Sequence, residues 1–583
     1  MKEYSQEART VVAIVLSMLV VVVWGYYFRP KAPAQLPEQP GAAKPAATSP
    51  AGSQGAAPPA GAAAAPAPPA AATISAAPAA VAPAPRAASG VESLVVETKL
   101  YRVELSNQGA TAHSWKLVQY KDDIGKDLDL IHTAVSEQSG KWPLMLAMDD
   151  AQQETKANSA LYEMTPASGT LEAPAEVSFA WSDGHLAVTK RLKFFADYVV
   201  SLETSVTLDG KPVPHFVAWQ GGFGDITAFA AADQVKVVYS RGGSLTDIAA
   251  KKAGDSDHPE KRVLVSGTSD FAGLMDHYFA AAFLPAGEPG VLLEHWKYDR
   301  EITVDGKKDT EPVAEIAAGA PGADPLRLRL FVGPKALAVL ENNQPRLTDL
   351  VTFGTFGIIA RPLFDFLLWI NRYVANYGWA IVLMTIAINM VLFPLKWRSF
   401  HQQLKMQRVM PEIKQIQDRY KKYSMRDPRK QDMNKEVMAV YSREGVNPIG
   451  GCLPMVMQMP IWFALYRMLD VAIELRQAPW FLWVRDLSAR DPYYLLPIFM
   501  CITMYFMQKL TPMTTTDPAQ QRMMTFMPFM MGLLFFKLAS GLVLYILTSN
   551  IIATGQQWFL YKVIPDSKPD TGKKKGSAEQ KPK

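Results

Sequence analysis

The chain alternates between long apolar runs and polar sequence, and the first apolar run comes close to its start. Residues 11–28 are such a run of 18 residues, which as a helix would cover about 27 Å, nearly the thickness of a bilayer core. A cleaved signal peptide is the alternative, because the small-residue string APA follows at 32–34. Arg29, Pro30 and Lys31 separate that string from the run. This spacing favours an uncleaved anchor at 11–28, preceded by a cytoplasmic tail at 1–10.

A low-complexity stretch follows at 29–90. Residues 31–90 contain 26 Ala and 13 Pro, with only four charges and no aromatic side chain. Such a composition cannot bury enough apolar surface to fold, and Pro prevents a continuous Ala helix. We therefore expect a disordered linker.

From 91 to 345 the pattern changes to short runs with period-two alternation. The strings SLVVETKLYRVELSNQGA, LAVTKRLKFFADYVVSLETSVTLDG and LRLRLFVGP end in Asn, Asp or Gly turn signals. Roughly 250 residues of this kind predict one large all-β sandwich outside the membrane.

Helical periodicity replaces this alternation at 351–376. One apolar stripe comprises Phe356, Ile359, Leu363, Leu367, Ile370 and Val374. Arg361, Asp365 and Arg372 lie on other faces, so the segment is an amphipathic helix. We expect it at the bilayer surface, and packing against the β domain is the alternative.

Five further apolar segments predict transmembrane helices at 378–396, 453–472, 493–510, 525–540 and 542–562. With 11–28 they give six spans. Positive charge indicates the cytoplasmic side: 396–448 has 13 Lys or Arg against 6 acidic residues, and 562–583 has 7, whereas 473–492 has three. Both termini, the segment 397–448, the loop 511–524 and the tail 563–583 are therefore expected in the cytoplasm. The loop 473–492 and the β domain are expected in the periplasm of a bacterial inner-membrane protein.

Composition excludes several functions. The formal charge of +5 is small for 583 residues, so net charge gives no argument for nucleic-acid binding. Cys452 and Cys501 both lie in or beside apolar runs, which disfavours a disulfide framework or a cysteine metal site. The chain has no phosphate-binding loop and no HExxH pair, and seven of its eight His are scattered through the β region. We expect neither an enzyme nor a bound cofactor or metal.

The segment 397–448 predicts a hairpin of two antiparallel helices, with the SMRDPRK string as its turn. Its first apolar stripe comprises Met406, Met410, Ile413, Ile416 and Tyr420; its second comprises Met433, Val437 and Tyr441. These stripes are expected to pack on each other. The basic residues on the remaining surface could also meet anionic lipids or ribosomal RNA.

Several polar side chains interrupt the apolar segments, and Asn389 is the clearest of them. Thr385 lies four residues before it, on the same face of the second predicted span. Gln458, Tyr545 and Ser549 occur on the third and sixth spans. These groups could line one polar interior, or serve only as hydrogen-bonding contacts between helices. Methionine is also concentrated here, with 20 of 26 Met in 384–531, and Met-rich surfaces accept varied apolar partners.

Three long strings identify a family: NPIGGCLPMVMQMPIWFALYRML at 447–469, ELRQAPWFLWVRDLSARDPYYLLPI at 474–498 and FKLASGLVLYILTSN at 536–550. They closely resemble the YidC/Oxa family of membrane protein insertases. The strings FAGLMDHYFAAAFLP and LRLFVGP extend the resemblance more weakly into the β region. As a resemblance, it implies five helices around a water-accessible groove that passes nascent transmembrane segments sideways into the lipid without nucleotide hydrolysis. It further implies a hairpin active in early substrate engagement and a periplasmic β-supersandwich related to sugar mutarotases.

The resemblance also implies partners. Members act on nascent membrane proteins, alone or with the Sec translocon, and basic tails in some members bind ribosomes. Here the tail carries a basic group comprising Lys568, Lys573, Lys574, Lys575, Lys581 and Lys583, although it could equally be a solvated tail that only fixes orientation. One departure matters: family members usually carry a groove Arg or Lys where this chain has Asn389.

Two rival functions remain. A channel or transporter would use the polar intramembrane positions as its pathway, and predicts internal repeats or paired charges that the helices lack. A tethered sugar-processing enzyme would need a convergent His and carboxylate site, which scattered His do not establish. Neither explains the three family strings.

Overall fold

A computed structural model describes residues 84–122, 124–225, 235–258, 260–287, 290–304, 307–322, 324–423, 427–445, 453–511 and 518–564. The predicted anchor at 11–28 and the basic tail lysines lie outside these residues. The β domain (residues 84–350) contains the strands β1 Ser93–Glu97, β2 Tyr101–Ser106, β3 Thr111–Lys121, β4 Asp127–Asp129, β5 Met145–Ala147, β6 Glu163–Thr165, β7 Gly169–Glu172, β8 Ala175–Ser182, β9 Leu186–Phe194, β10 Val199–Leu208, β11 Lys211–Pro212, β12 Phe216–Trp219, β13 Lys236–Arg241, β14 Ser244–Ala249, β15 Val263–Leu264, β16 Phe271–Met275, β17 Phe279–Pro285, β18 Leu292–Val304, β19 Lys307–Gly319 and β20 Leu326–Pro334.

These strands form antiparallel sheets around one apolar core. The largest has the order β14-β13-β16-β17-β20-β10-β9-β8-β6, and two five-stranded sheets have the orders β4-β3-β2-β1-β7 and β15-β18-β19-β12-β5. Only β1 and β7 pair in parallel among the described strand pairs. The alternation along β9 determines which side chains face the core: those of Leu186, Val188, Lys190, Leu192 and Phe194 are buried, whereas those of the residues between them are more exposed. The predicted β-sandwich is confirmed.

The linker ends earlier than the predicted residue 90. Arg86 forms an isolated bridge with Ser182 and an ion pair with Glu163, and the Ala88 amide donates to the Leu161 carbonyl at 3.0 Å. The last residues of the predicted linker therefore lie along the β domain, because they supply backbone partners to its edge.

The helices are α1 Thr133–Ser139, α2 Ala151–Ser159, α3 Leu337–Leu340, α4 Gly357–Val374, α5 Tyr377–Arg419, α6 Arg429–Arg443, α7 Leu453–Val471, α8 Leu495–Leu510, α9 Pro518–Phe535 and α10 Ser540–Val563. Short 3₁₀ helices occupy Ala250–Lys252, Thr348–Leu350, Gly354–Phe356 and Ile473–Leu475. The helical domain (residues 357–564) has its own apolar core, built from α4, α5, α7, α8 and α10.

The amphipathic helix α4 turns its predicted stripe toward this helical core. Leu367 and Ile370 are buried there, and Phe356, Ile359 and Val374 pack against the same cluster. Ile358, Trp369 and Tyr373 are exposed on its other face. The stripe thus packs on helices rather than on the β domain, and placement at the bilayer surface stays a prediction for the exposed face.

Two helices have ends that differ from the bounds of the predicted segments. The helix predicted at 525–540 is α9, which starts at Pro518, a residue suited to the first helical turn, and ends at Phe535 before a turn leads into α10. The helix that contains the predicted span at 378–396 also forms the first helix of the predicted hairpin, because α5 is continuous for 43 residues. The change from apolar to charged sequence near 396 does not end the helix, and neither do Pro394 and Pro411, although each lacks a backbone donor.

Length and hydropathy single out α5 as the one helix among the described residues that is long and apolar enough to cross a membrane, with a mean hydropathy of 2.0 over its apolar window. Leu495–Leu510 is a shorter apolar helix. The count of six spans, five of them forming the core, therefore stays a prediction.

The hairpin stripes pack on each other as expected. Met406, Ile413 and Ile416 of α5 are buried together with Val440 of α6. The remaining predicted stripe residues pack around this cluster: Met410, Tyr420, Met433, Val437 and Tyr441. A hydrogen bond from the Tyr420 hydroxyl to Glu436, at 2.8 Å, links the two helices further.

Candidate functional site

A cavity of about 510 Å³ opens between α5, α7, α8, α9 and α10 in the helical domain. One wall is polar and is supplied mainly by α5 and α10: Lys396, Ser399, Gln403, Ser549, Asn550, Gln556 and Gln557. The wall supplied by α7, α8 and α9 is mostly apolar and rich in methionine: Met459, Trp462, Met504, Met507, Met531 and Phe535. Apolar side chains of α5 and α10 also line the cavity: Phe400, Ile546, Ala553 and Leu560. The site is therefore amphipathic, with hydrogen-bonding groups on one side and soft, adaptable apolar groups on the other.

Helix ends are tied together at one edge of this cavity. Gln557 and Tyr561 of α10 both donate to the carbonyl of Leu510, the last residue of α8, at 3.0 and 2.8 Å. Carbonyls in the last turn of a helix lack partners within the helix, so these bonds satisfy one of them and fix α10 against α8.

Asn389 lies behind the polar wall rather than on the cavity surface. Its side chain is 1% exposed, and its amide nitrogen donates to the Thr385 carbonyl at 2.8 Å and to the Ser549 hydroxyl at 3.4 Å. Thr385 is fully buried and donates to the Ile381 carbonyl at 2.6 Å. Substrate contact by these two residues stays a prediction, and neither lines the cavity surface described above.

The other three predicted site residues line the cavity. Gln458, Tyr545 and Ser549 all contribute to its surface. The structure thus brings together residues from α7 and α10 that are about 90 positions apart in sequence. Their direct contact with substrate stays a prediction.

The sequence pattern did not single out Lys396 as a site residue, because it is one of many basic residues in the segment 396–448. Its ammonium donates to the Asn389 side-chain oxygen at 2.7 Å and to the Gln556 side-chain oxygen at 3.2 Å. Gln556 in turn donates to the Asn389 backbone carbonyl at 3.1 Å. The spacing could have indicated this contact, because residue 396 lies seven positions, or two helical turns, after residue 389 and on the same face of the helix.

No group of three or more His, Cys, Asp or Glu that could hold a metal ion occurs among the described residues. The tail lysines lie outside the described residues, so their predicted ribosome contact has no structural description.

Comparison with known proteins finds one matching family model for each of the two domains. Residues 93–366 match the family model described as the YidC periplasmic domain, and residues 369–568 match the model described as 60Kd inner membrane protein. A protein of Burkholderia multivorans named membrane protein insertase YidC is 34% identical over 495 residues, covering 82% of this chain and 86% of that protein. The chain belongs to the YidC membrane protein insertase family. Insertases of the same name from Nitratidesulfovibrio vulgaris and Campylobacter jejuni are 32% and 29% identical, and each covers 96% of this chain.

Membership in the YidC family confirms the resemblance found in the three strings. The β-sandwich corresponds to the YidC periplasmic domain, and the helical domain corresponds to the family model of the 60Kd inner membrane protein. The matching proteins are named insertases, and no catalytic activity is indicated by those names.

Proposed function

We propose that this chain inserts nascent membrane proteins by receiving their transmembrane segments in the cavity of the helical domain. The amphipathic lining carries this proposal. A segment moving from water to lipid must keep its polar flanks hydrogen-bonded while its apolar side chains leave water, because an unsatisfied polar group in hydrocarbon costs several kcal/mol. The polar groups of α5 and α10 hydrogen-bond to the polar flanks, and the Met-rich wall contacts the apolar side chains.

No nucleotide enters this mechanism. The chain carries no phosphate-binding loop, and burial of the apolar segment in lipid supplies the driving force. In keeping with the family resemblance, we propose the Sec translocon as an occasional partner. Anionic lipids and ribosomes are proposed contacts of the basic hairpin surface and of the lysine-rich tail.

A photo-crosslinker in the cavity tests whether a nascent transmembrane segment enters it. Purified protein carrying p-benzoylphenylalanine in place of Met504, which lines the cavity, is placed in liposomes with a stalled nascent membrane protein and apyrase. We expect crosslinks to the nascent segment and insertion of released substrate in this nucleotide-depleted buffer. The matched control is Ile498 on the same helix, which is 43% exposed outside the cavity. A stalled segment that crosslinks from 498 but never from 504, or an absolute need for ATP, contradicts the proposal.

Topology is tested separately. We propose that the hairpin and the C-terminal tail are cytoplasmic, because Lys and Arg concentrate there, and that the N-terminus lies on the same side, because the predicted number of spans is even. In a background lacking Cys452 and Cys501, Ser244→Cys in the β domain should react with a membrane-impermeant thiol reagent in spheroplasts, and Ser442→Cys in the hairpin should not. Both serines are exposed, so access to the thiol depends on the side of the membrane. Labelling of the hairpin cysteine alone would reverse the topology.

A further inference from the structure

A second cavity, of about 250 Å³, lies where the β domain meets the helical domain. Its lining comes from the turn between β16 and β17, the C-terminal end of α7, the loop 473–492 and the turn that leads from α9 into α10. We call it the junction cavity. It shares no lining residue with the cavity of the proposed function, so it is a separate site.

Several charged or titratable side chains of the junction cavity already have partners within the protein. Asp470 forms an ion pair with Arg467 at 2.8 Å, and Arg476 forms one with Asp225 at 2.6 Å. His277 donates to the backbone carbonyl of Asp470 at 2.7 Å. A charged ligand would therefore be bound by the remaining charged groups of the cavity.

Two basic side chains, Arg490 and Lys537, come close together at the junction cavity. Arg490 forms an isolated β-bridge with Ala539, two positions after Lys537, and both basic side chains line the cavity. Lys537 is exposed and forms no ion pair with any residue that the structure describes. The N-terminus of α10, which starts at Ser540, adds a partial positive charge at the same point. Together these groups favour an anion such as a phosphate.

Asp486 adds a negative charge to the lining of the same cavity. Its Oδ1 atom accepts hydrogen bonds from the Ser488 amide and hydroxyl, at 2.8 and 2.7 Å, and from the Ala489 amide at 3.2 Å. Its Oδ2 atom accepts none from the described part of the chain, where no Lys or Arg pairs with it either. A half-buried carboxylate with one free oxygen favours an ammonium group. The cavity therefore has groups for both charges of a zwitterion.

An exposed apolar stripe on α9 leads to Lys537. Phe526, Met530 and Leu533 are 64%, 51% and 74% exposed, and their spacing of i, i+4 and i+7 places them on one face of the helix. Lys537 follows just beyond the end of α9 at Phe535. From Phe526 to Phe535 the helix rises about 14 Å, close to half the apolar thickness of a bilayer. An acyl chain of one leaflet therefore fits along this stripe with its headgroup at the junction cavity.

We propose that the junction cavity binds the headgroup of an aminophospholipid, a lipid with a phosphate and a primary ammonium group such as phosphatidylethanolamine. Arg490 and Lys537 bind the phosphate, the free oxygen of Asp486 accepts a hydrogen bond from the lipid ammonium, and an acyl chain lies on the stripe of α9. This inference goes beyond the proposed function and takes from it only the orientation. With the loop 473–492 in the periplasm, the lipid belongs to the outer leaflet.

The rival explanation is that Lys537 only extends from an apolar surface to water, and that the junction cavity holds water. The two explanations differ in lipid selectivity. A lysine at the membrane surface attracts any lipid with a phosphate. Its combination with Asp486 selects a lipid that also carries an ammonium, and disfavours phosphatidylglycerol, whose headgroup ends in hydroxyls.

The test compares two photoactivatable lipids that carry a diazirine in the same acyl chain and differ only in their ethanolamine or glycerol headgroup. Full-length protein in phosphatidylcholine nanodiscs is illuminated with a trace of either probe, and crosslinks to residues 526–542 are quantified by mass spectrometry. The wild type should crosslink the ethanolamine probe about tenfold more than the glycerol probe, the scale of one hydrogen bond to a charged group. Asp486→Asn, which keeps an acceptor for the Ser488 and Ala489 amides, should bring the two probes within about twofold of each other. Lys537→Gln should lower crosslinking of both by about tenfold.

Arg522→Gln is the matched control, because Arg522 is an exposed basic residue near the start of α9; it should leave both probes unchanged. Soluble glycerophosphoethanolamine at the same total concentration as the probe should not displace it. Displacement would identify a free headgroup compound as the ligand and overturn the inference. Equal crosslinking of the two probes to the wild type, or equal effects of Lys537→Gln and Arg522→Gln, would overturn it as well. Lipid crosslinking needs no nascent chain, so a negative result leaves the proposed function untouched.

Discussion

Replacing Lys190 by Met is expected to lower the free energy of unfolding of the β domain by about 3 kcal/mol, since buried carbonyls would lose their donor. Lys190 lies on the inward face of β9 and is 1% exposed. Its ammonium donates to the carbonyls of Gly109 and Leu144 at 2.7 Å and of Ala110 at 3.2 Å. Burial lowers the pKa of Lys190 to about 7, and the three acceptors oppose that shift because they stabilise the charged form.

The backbone around this ammonium explains why the loss should be large. Gly109, Ala110 and Leu144 all have positive φ, of 67°, 52° and 73°, and such angles are unfavourable for Ala and Leu. In this conformation the three carbonyls converge on one ammonium. Removing the ammonium leaves both the strain and the unsatisfied acceptors.

Urea unfolding of the full-length protein, followed by the fluorescence of the buried Trp115 and Trp219 in this domain, measures the effect. The matched control is Lys193→Met, because Lys193 is exposed on the same strand and only pairs with Glu176 at 3.2 Å. That exposed pair is worth less than about 1 kcal/mol. If the two variants lose equal free energy of unfolding, the hydrogen bonds from Lys190 to the three carbonyls stabilise the domain no more than the exposed ion pair of Lys193 does.

Much of the fold follows from local sequence. Alternation predicted the strands of β1, β2, β9, β10 and β20, because one face of each is buried and the period is two. Apolar periodicity likewise predicted the helices and the packed hairpin stripes. The helices α5 and α9 both continue through a change in polarity, so hydropathy alone does not locate their ends.

The site was predictable only in part. Gln458, Tyr545 and Ser549 could be predicted because polar residues in apolar helices need an interior partner. Lys396 could not be distinguished from neighbouring charges, since its hydrogen bonds to Asn389 and to Gln556 of another helix form only in the tertiary structure. The same limit applies to Arg476 and Asp225, which lie 251 residues apart and meet only in the tertiary structure.

Arg476→Met is expected to loosen the contact between the β domain and the 473–492 loop by about 3–5 kcal/mol, the usual cost of removing one partner of a buried ion pair. The Arg476 guanidinium donates to the Asp225 carboxylate at 2.6 Å and to the Lys121 carbonyl at 2.8 Å. The two side chains are 4% and 1% exposed. Phe279 covers the guanidinium, with its ring centroid 5.5 Å away, so the pair has little access to water.

Hydrogen exchange of the amides around 473–477 and in β3 measures this loosening, because exchange reports local opening free energies rather than global unfolding. Arg361→Met is the matched control: Arg361 pairs with Glu341 at 3.1 Å, but both side chains are 53% exposed, so exchange should change little. The double variant Arg476→Met with Asp225→Leu should lose less protection than the sum of the two single variants, since no charge is then left buried without a partner. Additive losses would show that the two groups act independently. Coupled losses would identify this pair as the contact that holds the periplasmic domain to the loop leading into α8, and hence to one wall of the cavity.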